Sequence, residues 1–357
     1  AERAAALFKE GKQEEAEEAL KGVQEARTKA GAAQYQELYF VRTEAELRAQ
    51  ILNAPPTLQT PYFVAVDGRR HPLKLPAGGL SIFAARPGHG KSRMLVNLAL
   101  EVCRANPGEV HYFTFEESAE AVTLKALNCF LDSDLAGPQY DTNQEAIEAF
   151  FKGKEEAILT DAKGKFEQGK AEFFRLIEAR RLNIHFSELR AEALAEALRR
   201  LHRRGNIAAV FIDYIQLLNL EKLSRGINNR QEEVKAICNL LKDVSRETGL
   251  PLVLAAQFNR EVKGADDMTM SALREAGDIE QTAALIVGLW NRFKDEANPQ
   301  PELEARILKN RNGAPGGVGV WKYNGNRYRI YPTNTGATTG ANIPPDVARY
   351  LSQPAKK

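Results

Sequence analysis

The stretch LSIFAARPGHGKS, residues 80–92, constrains the fold of this chain more than any other segment. Its apolar first half is bounded by glycine and proline, which predicts a buried strand over Leu80–Ala85. A glycine-rich turn then ends in Lys91-Ser92, and apolar residues recur at helical spacing from Met94 to Val102. A strand, a glycine-rich turn and a helix in this order are the context of a phosphate-binding loop, the P-loop.

The residue types of this turn suit a nucleoside triphosphate. Successive backbone N–H groups at a helix N-terminus attract phosphate, and the glycines let the backbone approach it closely. Lys91 would bring a positive charge to the γ-phosphate, and the Ser92 hydroxyl would bind Mg²⁺. The general motif begins with glycine where this chain has Ala85, so a chance match at a helix start is the alternative reading. The predicted nucleotide-binding residues are Arg86, Pro87, Gly88, His89, Gly90, Lys91 and Ser92.

Composition bounds the class of protein. With 357 residues and an ordinary apolar fraction, the chain is long enough for one large α/β domain with appendages. The net charge of only +2 implies that any surface for nucleic acid is a local patch. Three widely spaced cysteines are typical of reduced, buried thiols, and no apolar run reaches membrane-spanning length. We therefore expect a cytoplasmic protein that has no membrane partner.

The sequence predicts three parts. Residues 1–57 are predicted to form a helical segment that could dock on another subunit. Residues 58–332 form the predicted P-loop domain. Its lead-in over 58–79 is predicted to be irregular with short β-like pieces, such as Tyr62–Val66, and the polar, irregular stretch over 132–168 is predicted to be a surface insertion or a mobile loop region. The tail, residues 333–357, is rich in Gly, Thr and Pro and is predicted to be disordered.

Polar side chains end three further predicted strands. Val110–Phe115 runs into Glu116-Glu117, Ala208–Asp213 ends on an acid, and the strand PLVLAAQ ends on Gln257. The carboxyl ends of parallel strands meet at the sheet edge where ligands bind. The Glu116-Glu117 pair therefore offers a candidate general base, Asp213 is a candidate Mg²⁺ ligand, and Gln257 is a candidate sensor of the γ-phosphate. The alternatives are a charge at a helix start, a helix-capping acid and a polar strand end.

The C-terminal part of the P-loop domain predicts four more strands. They are Ala284–Trp290, Leu303–Lys309, and a hairpin of Val318–Tyr323 with Tyr328–Tyr331. The segment KNRNG, residues 309–313, reads as a turn that carries two cations.

Several of these segments, taken in order, resemble the ATPase domain of DnaB-type replicative DNA helicases, a RecA-like family. The resemblance covers about residues 75–332 and rests on AARPGHGKS, FTFEES, VFIDYIQLL, AAQFNR, SALREAGDIEQTA and KNRNG. The family's own P-loop has alanine where the general motif has glycine, which accounts for Ala85. The resemblance implies an α/β fold of the RecA-like P-loop NTPase class, with a mostly parallel central sheet, a C-terminal β-hairpin and a short helical N-terminal segment.

The resemblance also implies roles for single residues. It implies that the KNRNG turn enters the ATP site of a neighbouring subunit, and that SALREAGDIEQTA contacts the phosphates of single-stranded DNA. The implied catalytic residues are Glu116, Lys91, Arg311, Lys309 and Gln257. The implied Mg²⁺ ligands are Ser92 and Asp213, and the implied DNA-binding residues are Arg274, Glu275 and Gly277.

The function that the resemblance implies is a ring-shaped helicase, expected to be a hexamer, that moves 5′ to 3′ on single-stranded DNA with ATP and Mg²⁺. Residues 1–57 are too short for the family's N-terminal helical domain, which meets primase, so the sequence identifies no primase or loader contact. One alternative is a RecA-like, DNA-dependent ATPase of recombinase or loader type, which binds DNA or a protein without unwinding. A second alternative is a structural ring or adaptor with a weak nucleotide site.

Overall fold

The computed structural model describes residues 43–54, 57–188, 190–220, 229–273, 276–292 and 301–332. The chain divides into two units, Ala1–Ala54 and Pro55–Lys357. Within the first unit, helix α1 (Glu44–Asn53) begins at a capping box, in which Thr43 and Glu46 bind each other's backbone N–H groups. The predicted disordered tail and the rest of the predicted helical segment before residue 43 lie outside the described residues.

The second unit is an α/β structure with seven α-helices and eleven strands among its described residues. The helices are α2 (Lys91–Ala105), α3 (Ala119–Leu131), α4 (Asn143–Phe151), α5 (Lys163–Glu178), α6 (Ala191–Arg204), α7 (Arg230–Thr248) and α8 (Ala276–Thr282). The strands are β1 (Leu58–Val66), β2 (Arg69–Leu75), β3 (Leu80–Ala85), β4 (Glu109–Thr114), β5 (Leu182–Phe186), β6 (Ile207–Asp213), β7 (Leu252–Gln257), β8 (Leu285–Asn291), β9 (Glu302–Asn310), β10 (Val318–Asn324) and β11 (Arg329–Tyr331).

One sheet joins all these strands, in the order β2-β1-β10-β9-β8-β3-β7-β6-β4-β5, with β11 paired to β10. The six strands from β8 to β5 in this order are mutually parallel, and the others are added antiparallel. Every residue of β3 is buried: Phe83 and Ala85 pack into one hydrophobic cluster, and Ile82 and Ala84 into another. Burial on both faces explains the continuous apolar runs of the parallel strands, and the predicted fold class is confirmed.

The register of the sheet brings the polar strand ends together. Ala85, the last residue before the P-loop turn, lies beside Gln257 at the end of β7. Thr114 at the end of β4 lies beside Asp213 at the end of β6. The carboxyl ends of four parallel strands therefore form one edge, as open α/β sheets require for a ligand site. We call it the P-loop edge.

The predicted lead-in over 58–79 is only partly correct: the β-like piece Tyr62–Val66 lies within β1, but the segment as a whole is not irregular. Most of it is the antiparallel hairpin of β1 and β2, and the inward residues of β1 are buried, including Tyr62 and Val64. Two prolines explain why the sequence did not predict these strands in full, because proline is rare inside strands. Pro61 lies where the pairing of β1 with β2 is irregular, and Pro72 lies in β2, the outermost strand of the sheet. Irregular pairings and outermost strands are the positions where a sheet tolerates proline.

The predicted irregular insertion over 132–168 is also wrong, because it contains α4 and the start of α5. The hydroxyl of Thr142 accepts a hydrogen bond from the Glu145 N–H and begins α4. The rings of Phe150 and Phe166 pack edge to face with centroids 4.8 Å apart. Apolar side chains within a polar stretch were the signal of these helices. Two lysines of this stretch form exposed ion pairs, Lys152 with Glu148 and Lys163 with Glu155.

Composition predicted buried thiols, and Cys103, Cys129 and Cys238 are all buried. Among the residues that the structure describes, no helix has the length and apolar character needed to cross a bilayer.

Asn143 at the start of α4 holds the segment that precedes this helix. Its Oδ1 accepts hydrogen bonds from the N–H groups of Leu135 (2.9 Å) and Ala136 (3.2 Å). Its Nδ2 donates to the Ser133 carbonyl oxygen (2.7 Å) and to Asn128 Oδ1 (3.2 Å). The side chain is fully buried, so these four bonds replace water.

We expect Asn143→Ala to lower the free energy of unfolding by about 2–4 kcal/mol, because it leaves several buried polar groups without partners. The matched control is Glu148→Ala on the same helix. It removes only an exposed ion pair to Lys152, and should cost less than about 0.5 kcal/mol. Urea unfolding of both variants measures the difference, and equal losses would contradict the buried-network account.

Candidate functional site

The P-loop turn presents backbone N–H groups at the start of α2. Gly90 is the N-cap residue, with φ of 91°, and no side chain caps the helix. Gly88 is also left-handed, with φ of 77°, so both positions use the conformation that glycine adopts without strain. An uncapped helix N-terminus leaves its first N–H groups available to an anion.

A cavity of about 490 Å³ opens at this turn, on the P-loop edge of the sheet. Its volume lies within the usual range for a small-molecule site. The residues that line it are Pro87, Gly88, His89, Gly90, Lys91, Ser92, Arg93, Glu116, Glu117, Tyr214, Gln257, Asn291, Leu303, Tyr323, Tyr328 and Ile330.

Lys91 is the charged centre of this cavity. Its Nζ lies 3.6 Å from Glu116 Oε2 and 3.7 Å from Asp213 Oδ1. It also lies 4.0 Å from the centre of the Tyr214 ring. The Lys91 side chain is only 12% exposed, so these contacts replace most of its hydration. One ammonium thus holds two carboxylates from neighbouring strands beside the P-loop.

Asp213 is oriented by a buried tyrosine. The Tyr112 hydroxyl donates to Asp213 Oδ2 at 2.8 Å, whereas Oδ1 is buried and accepts no hydrogen bond from the described residues. Burial, together with the neighbouring Asp213 charge, raises the pKa of Tyr112 well above its usual value. The hydroxyl therefore stays protonated and keeps one carboxylate oxygen fixed, while the other oxygen faces the Lys91 ammonium, 3.7 Å away.

The two adjacent glutamates have different surroundings. The Glu117 carboxylate pairs with the Lys125 ammonium, and the Glu117 N–H and C=O both bond to the Thr114 hydroxyl. Glu116 is more exposed, with 55% of its side chain open, and it contacts Lys91. The turn is therefore fixed at Glu117 and presents the Glu116 carboxylate beside the P-loop lysine.

Most of the predicted nucleotide-binding residues line the cavity, but Arg86 does not. Its guanidinium donates to the Val262 carbonyl oxygen at 3.0 Å. The His89 ring is buried against Trp290 with centroids 4.1 Å apart, and its Nδ1 accepts from the Asn291 N–H. Gln257, at the end of β7, also lines the cavity.

Lys309 and Arg311 lie at the opposite edge of the sheet. Because β9 is antiparallel to β8, Leu303 lies at the P-loop edge, whereas Asn310 lies beside Leu285 at the far edge. At about 3.3 Å per residue, Arg311 is about 26 Å along the chain from Leu303. Lys309 Nζ donates to the Glu280 carbonyl oxygen and Arg311 Nη2 to that of Gln281 (3.3 Å), near the end of α8.

The predicted DNA-binding residues are only partly described. Gly277 lies in α8, and Arg274 and Glu275 lie outside the described residues. Before them, Phe258 and Leu273 form an isolated antiparallel bridge, which fixes this segment to the end of β7.

Tyr112 and Tyr214 contact the charged centre, and no sequence motif identified them. The signal for Tyr112 was strand alternation, since it lies two residues before Thr114 on a strand that ends at the cavity. Tyr214 directly follows the candidate metal ligand Asp213, so its position in the sequence was the one signal available for it.

A P-loop at the end of β3, acids at the ends of β4 and β6, and a parallel sheet covered on both faces define a RecA-like P-loop nucleoside triphosphatase fold. The family model for the DnaB-like helicase C terminal domain matches residues 74–329, which is most of the chain. The chain therefore belongs to the DnaB-like helicase C-terminal domain family.

Curated relatives agree with this assignment. The chain is 29% identical over 245 residues to the replicative DNA helicase DnaC of Bacillus subtilis, covering 68% of this chain and 50% of that protein. It is 29% identical over 243 residues to the replicative DNA helicase DnaB of Geobacillus stearothermophilus, covering 67% and 49%. The chain thus spans about half the length of the curated relatives it matches.

Solved structures agree on the fold. A DnaB-like replicative helicase, described with its interactions with primase, superposes with a TM-score of 0.59 at 20% identity, covering 72% of this chain and 57% of that one. A second solved structure, described as an ATPase domain, also gives 0.59 at 20% identity, covering 71% and 84%.

Proposed function

We propose that this chain is the motor part of an ATP-dependent, ring-shaped replicative DNA helicase that moves along single-stranded DNA. The observation that supports it best is the contact of Lys91 with Glu116 and Asp213 at the P-loop, in a chain of the DnaB-like family. These residues have the chemistry of triphosphate hydrolysis, and the relatives of this family are named replicative helicases.

In the proposed reaction the protein positions phosphates and a water molecule. The backbone of residues 87–90 and the Lys91 ammonium bind the phosphates. Glu116 orients the attacking water and accepts its proton, while the Gln257 amide donates to the γ-phosphate. Lys91 contacts Glu116, so the phosphates of ATP would compete for this cation and free the carboxylate for the water.

The donor set fits Mg²⁺. Asp213 offers a buried oxygen, Oδ1, that accepts no hydrogen bond in the described part of the chain and lies 3.7 Å from the Lys91 ammonium, and Ser92 lines the cavity with a hydroxyl. Hard oxygen ligands of this kind suit Mg²⁺. Ser92 and Asp213 would hold the ion, directly or through water, and the ion would neutralise charge on the phosphate oxygens.

We propose that Lys309 and Arg311 complete the site of a second copy of the chain. Their place at the edge opposite the P-loop supports this, because within one chain they are too distant to reach the phosphates. A contact between opposite edges is head to tail, and such contacts close into rings when the rotation permits. We expect six copies in the ring.

The proposed DNA contact is the segment that leads into α8, with Arg274, Glu275 and Gly277. A single charged loop per subunit would hold phosphates without reading bases, which agrees with a total net charge of only +2.

Glu116→Gln should lower kcat for ATP by about 10²–10⁴-fold, because the amide cannot accept the proton of the attacking water. ATP binding should be retained. Glu117→Gln is the matched control, since it makes the same change one residue further on, in a carboxylate already paired with Lys125. It should stay within about threefold of wild type. Steady-state ATPase assays decide, and a larger loss in Glu117→Gln would assign the base to that residue instead.

Rings of Arg311→Ala and rings of Lys91→Ala should each hydrolyse ATP poorly, and mixing the two proteins should restore activity. Mixing pairs an intact P-loop in one subunit with an intact Arg311 in the next, in about a quarter of the interfaces at equal amounts. ATPase rates after subunit exchange measure the rescue. A mixture no more active than its parts would show that Arg311 does not act on a neighbour.

Unwinding tests the function as a whole. On forked duplexes with a 5′ or a 3′ single-stranded tail, we expect ATP-dependent strand displacement that requires the 5′ tail, with Glu116→Gln as the inactive control. A protein whose ATPase responds to single-stranded DNA, but which displaces no strand from either fork, would instead be the DNA-dependent ATPase of recombinase or loader type. Mass measurements in ATP give the number of subunits.

A further inference from the structure

Arg86 begins the P-loop turn, yet its side chain contacts a different part of the molecule. It does not line the nucleotide cavity. Its guanidinium donates to the Val262 carbonyl oxygen at 3.0 Å, and beside it the Phe258 N–H donates to the Ala85 carbonyl oxygen at 3.1 Å. Two hydrogen bonds therefore join the start of the P-loop turn to the segment that follows β7.

This segment, residues 258–273, is a loop whose two ends are joined. Phe258 and Leu273 form the antiparallel bridge, and the Asn259 N–H donates to the Ala272 carbonyl oxygen at 2.9 Å. Compact loops whose ends meet, and which are packed by their own side chains, are frequently functional. We call residues 258–273 the bridging segment, because they connect the P-loop edge to the proposed DNA contact.

Buried side chains make the bridging segment part of the protein core. Val262 and Met268 are 1% and 3% exposed, and both belong to the same hydrophobic cluster as Ile279 of α8. Met268 lies against Gly288 of β8, where an added Cβ would come within 3.1 Å of the Met268 sulfur. The absence of a side chain at Gly288 thus lets the segment pack closely on the sheet. A close-packed interior transmits a displacement rather than absorbing it.

The contact between the bridging segment and β9 is weaker. Asp266 Oδ1 lies 2.7 Å from Arg306 Nη2, but the Asp266 side chain is 80% exposed. Exposed ion pairs contribute little, because water competes for both charges. Arg306 also has a second partner, the buried Glu304, whose Oε1 accepts from Arg306 Nε at 2.6 Å. Loss of the Asp266 charge would therefore leave Arg306 paired and disturb the segment little.

We propose that Arg86 is a positioning residue that couples the nucleotide site to the DNA contact through the Val262 carbonyl group. The proposal rests on the proposed function. Bound phosphates would fix the turn that follows Arg86, and Arg86 would pass that position to the bridging segment. The segment leads directly into Arg274, so the phosphates of DNA would bias its other end. Two ligands that favour the same position of a shared element raise each other's affinity by the same factor.

The test measures how strongly the bound nucleotide changes the affinity for DNA. The dissociation constant of a fluorescent oligothymidylate is measured by anisotropy on the full chain with Mg²⁺, once with ADP and once with a non-hydrolysable ATP analogue. We call the ratio of the two constants the coupling ratio. Arg86→Met should move it about fivefold or more toward one, because the new side chain cannot donate to Val262. The variant should still bind the ATP analogue, since Arg86 does not line the cavity.

Two further variants separate coupling from support of the fold. Arg86→Lys keeps a cation that can donate to the Val262 carbonyl oxygen, so it should retain most of the wild-type coupling ratio. Asp266→Asn is the matched control, because it weakens the contact of the same segment with β9 and leaves the contact with the P-loop turn unchanged. It should keep the coupling ratio within about twofold of wild type.

Four results would each overturn the proposal. An unchanged coupling ratio in Arg86→Met would mean that the contact with Val262 transmits nothing. A ratio in Arg86→Lys as low as that in Arg86→Met would mean that the hydrogen bond is not the cause. An equal loss in Asp266→Asn would mean that the segment only has to be held in place. Loss of ATP-analogue binding in Arg86→Met would place Arg86 in the phosphate site instead.

The two proposals fail in different ways. A wild-type chain that binds no ATP analogue, or that binds DNA equally well with both nucleotides, would contradict the proposed function, because a motor must hold its track differently in the two states. A wild-type coupling ratio different from one, together with any of the four results, would contradict only the role of Arg86.

Discussion

The direction of β9 decides how this molecule can work. Had β9 joined β8 in parallel, Lys309 and Arg311 would lie at the P-loop edge, within reach of their own nucleotide. The antiparallel register, with Leu303 beside Asn291 and Asn310 beside Leu285, sends them to the far edge. The phosphate-binding turn and the two cations therefore lie at opposite ends of the parallel strands. Under the proposed function, only a second copy can bring the two cations to the phosphates. ATP hydrolysis would therefore require assembly of the chain with other copies.

At the P-loop edge, the charge of Lys91 organises the rest. It holds Glu116 and Asp213, one of which is half-exposed and the other buried. Removing Asp213 from water is tolerable only because the lysine and the Tyr112 hydroxyl offset the lost hydration. The positive charge of Lys91 also reduces the repulsion between these two carboxylates and an incoming polyanion. An ion pair that a phosphate can replace is therefore both a stabilising contact and a prepared binding site.

The sequence predicted the parts that are encoded locally. Leu80–Ala85, its turn and its helix lie where the motif indicates, and Gln257 lies at the cavity. What it missed depends on distant contacts. The full extent of the two strands over 58–75 was missed, because their prolines lie at an irregular pairing and in an edge strand. The helices within 132–168 were missed because the composition of that stretch is polar. At the cavity, Arg93 contacts the rings of Tyr323 and Tyr328, which lie more than two hundred residues away along the chain, so no local pattern could reveal this contact.

Helix α8 connects the two regions that would face other molecules. The proposed DNA segment leads into its first turn, and Lys309 and Arg311 donate to the carbonyl groups of Glu280 and Gln281 near its end. Cations are favourable there because they offset the helix dipole. Yet burial and the nearby Arg311 lower the pKa of Lys309, so a phosphate anion would relieve a repulsion that the carbonyls only partly offset. Moving these cations to a neighbour's nucleotide would leave the end of α8 less well bonded. Under the proposed function, the same helix would respond at one end to DNA and at the other to the neighbour's nucleotide, and its seven residues would couple the two sites.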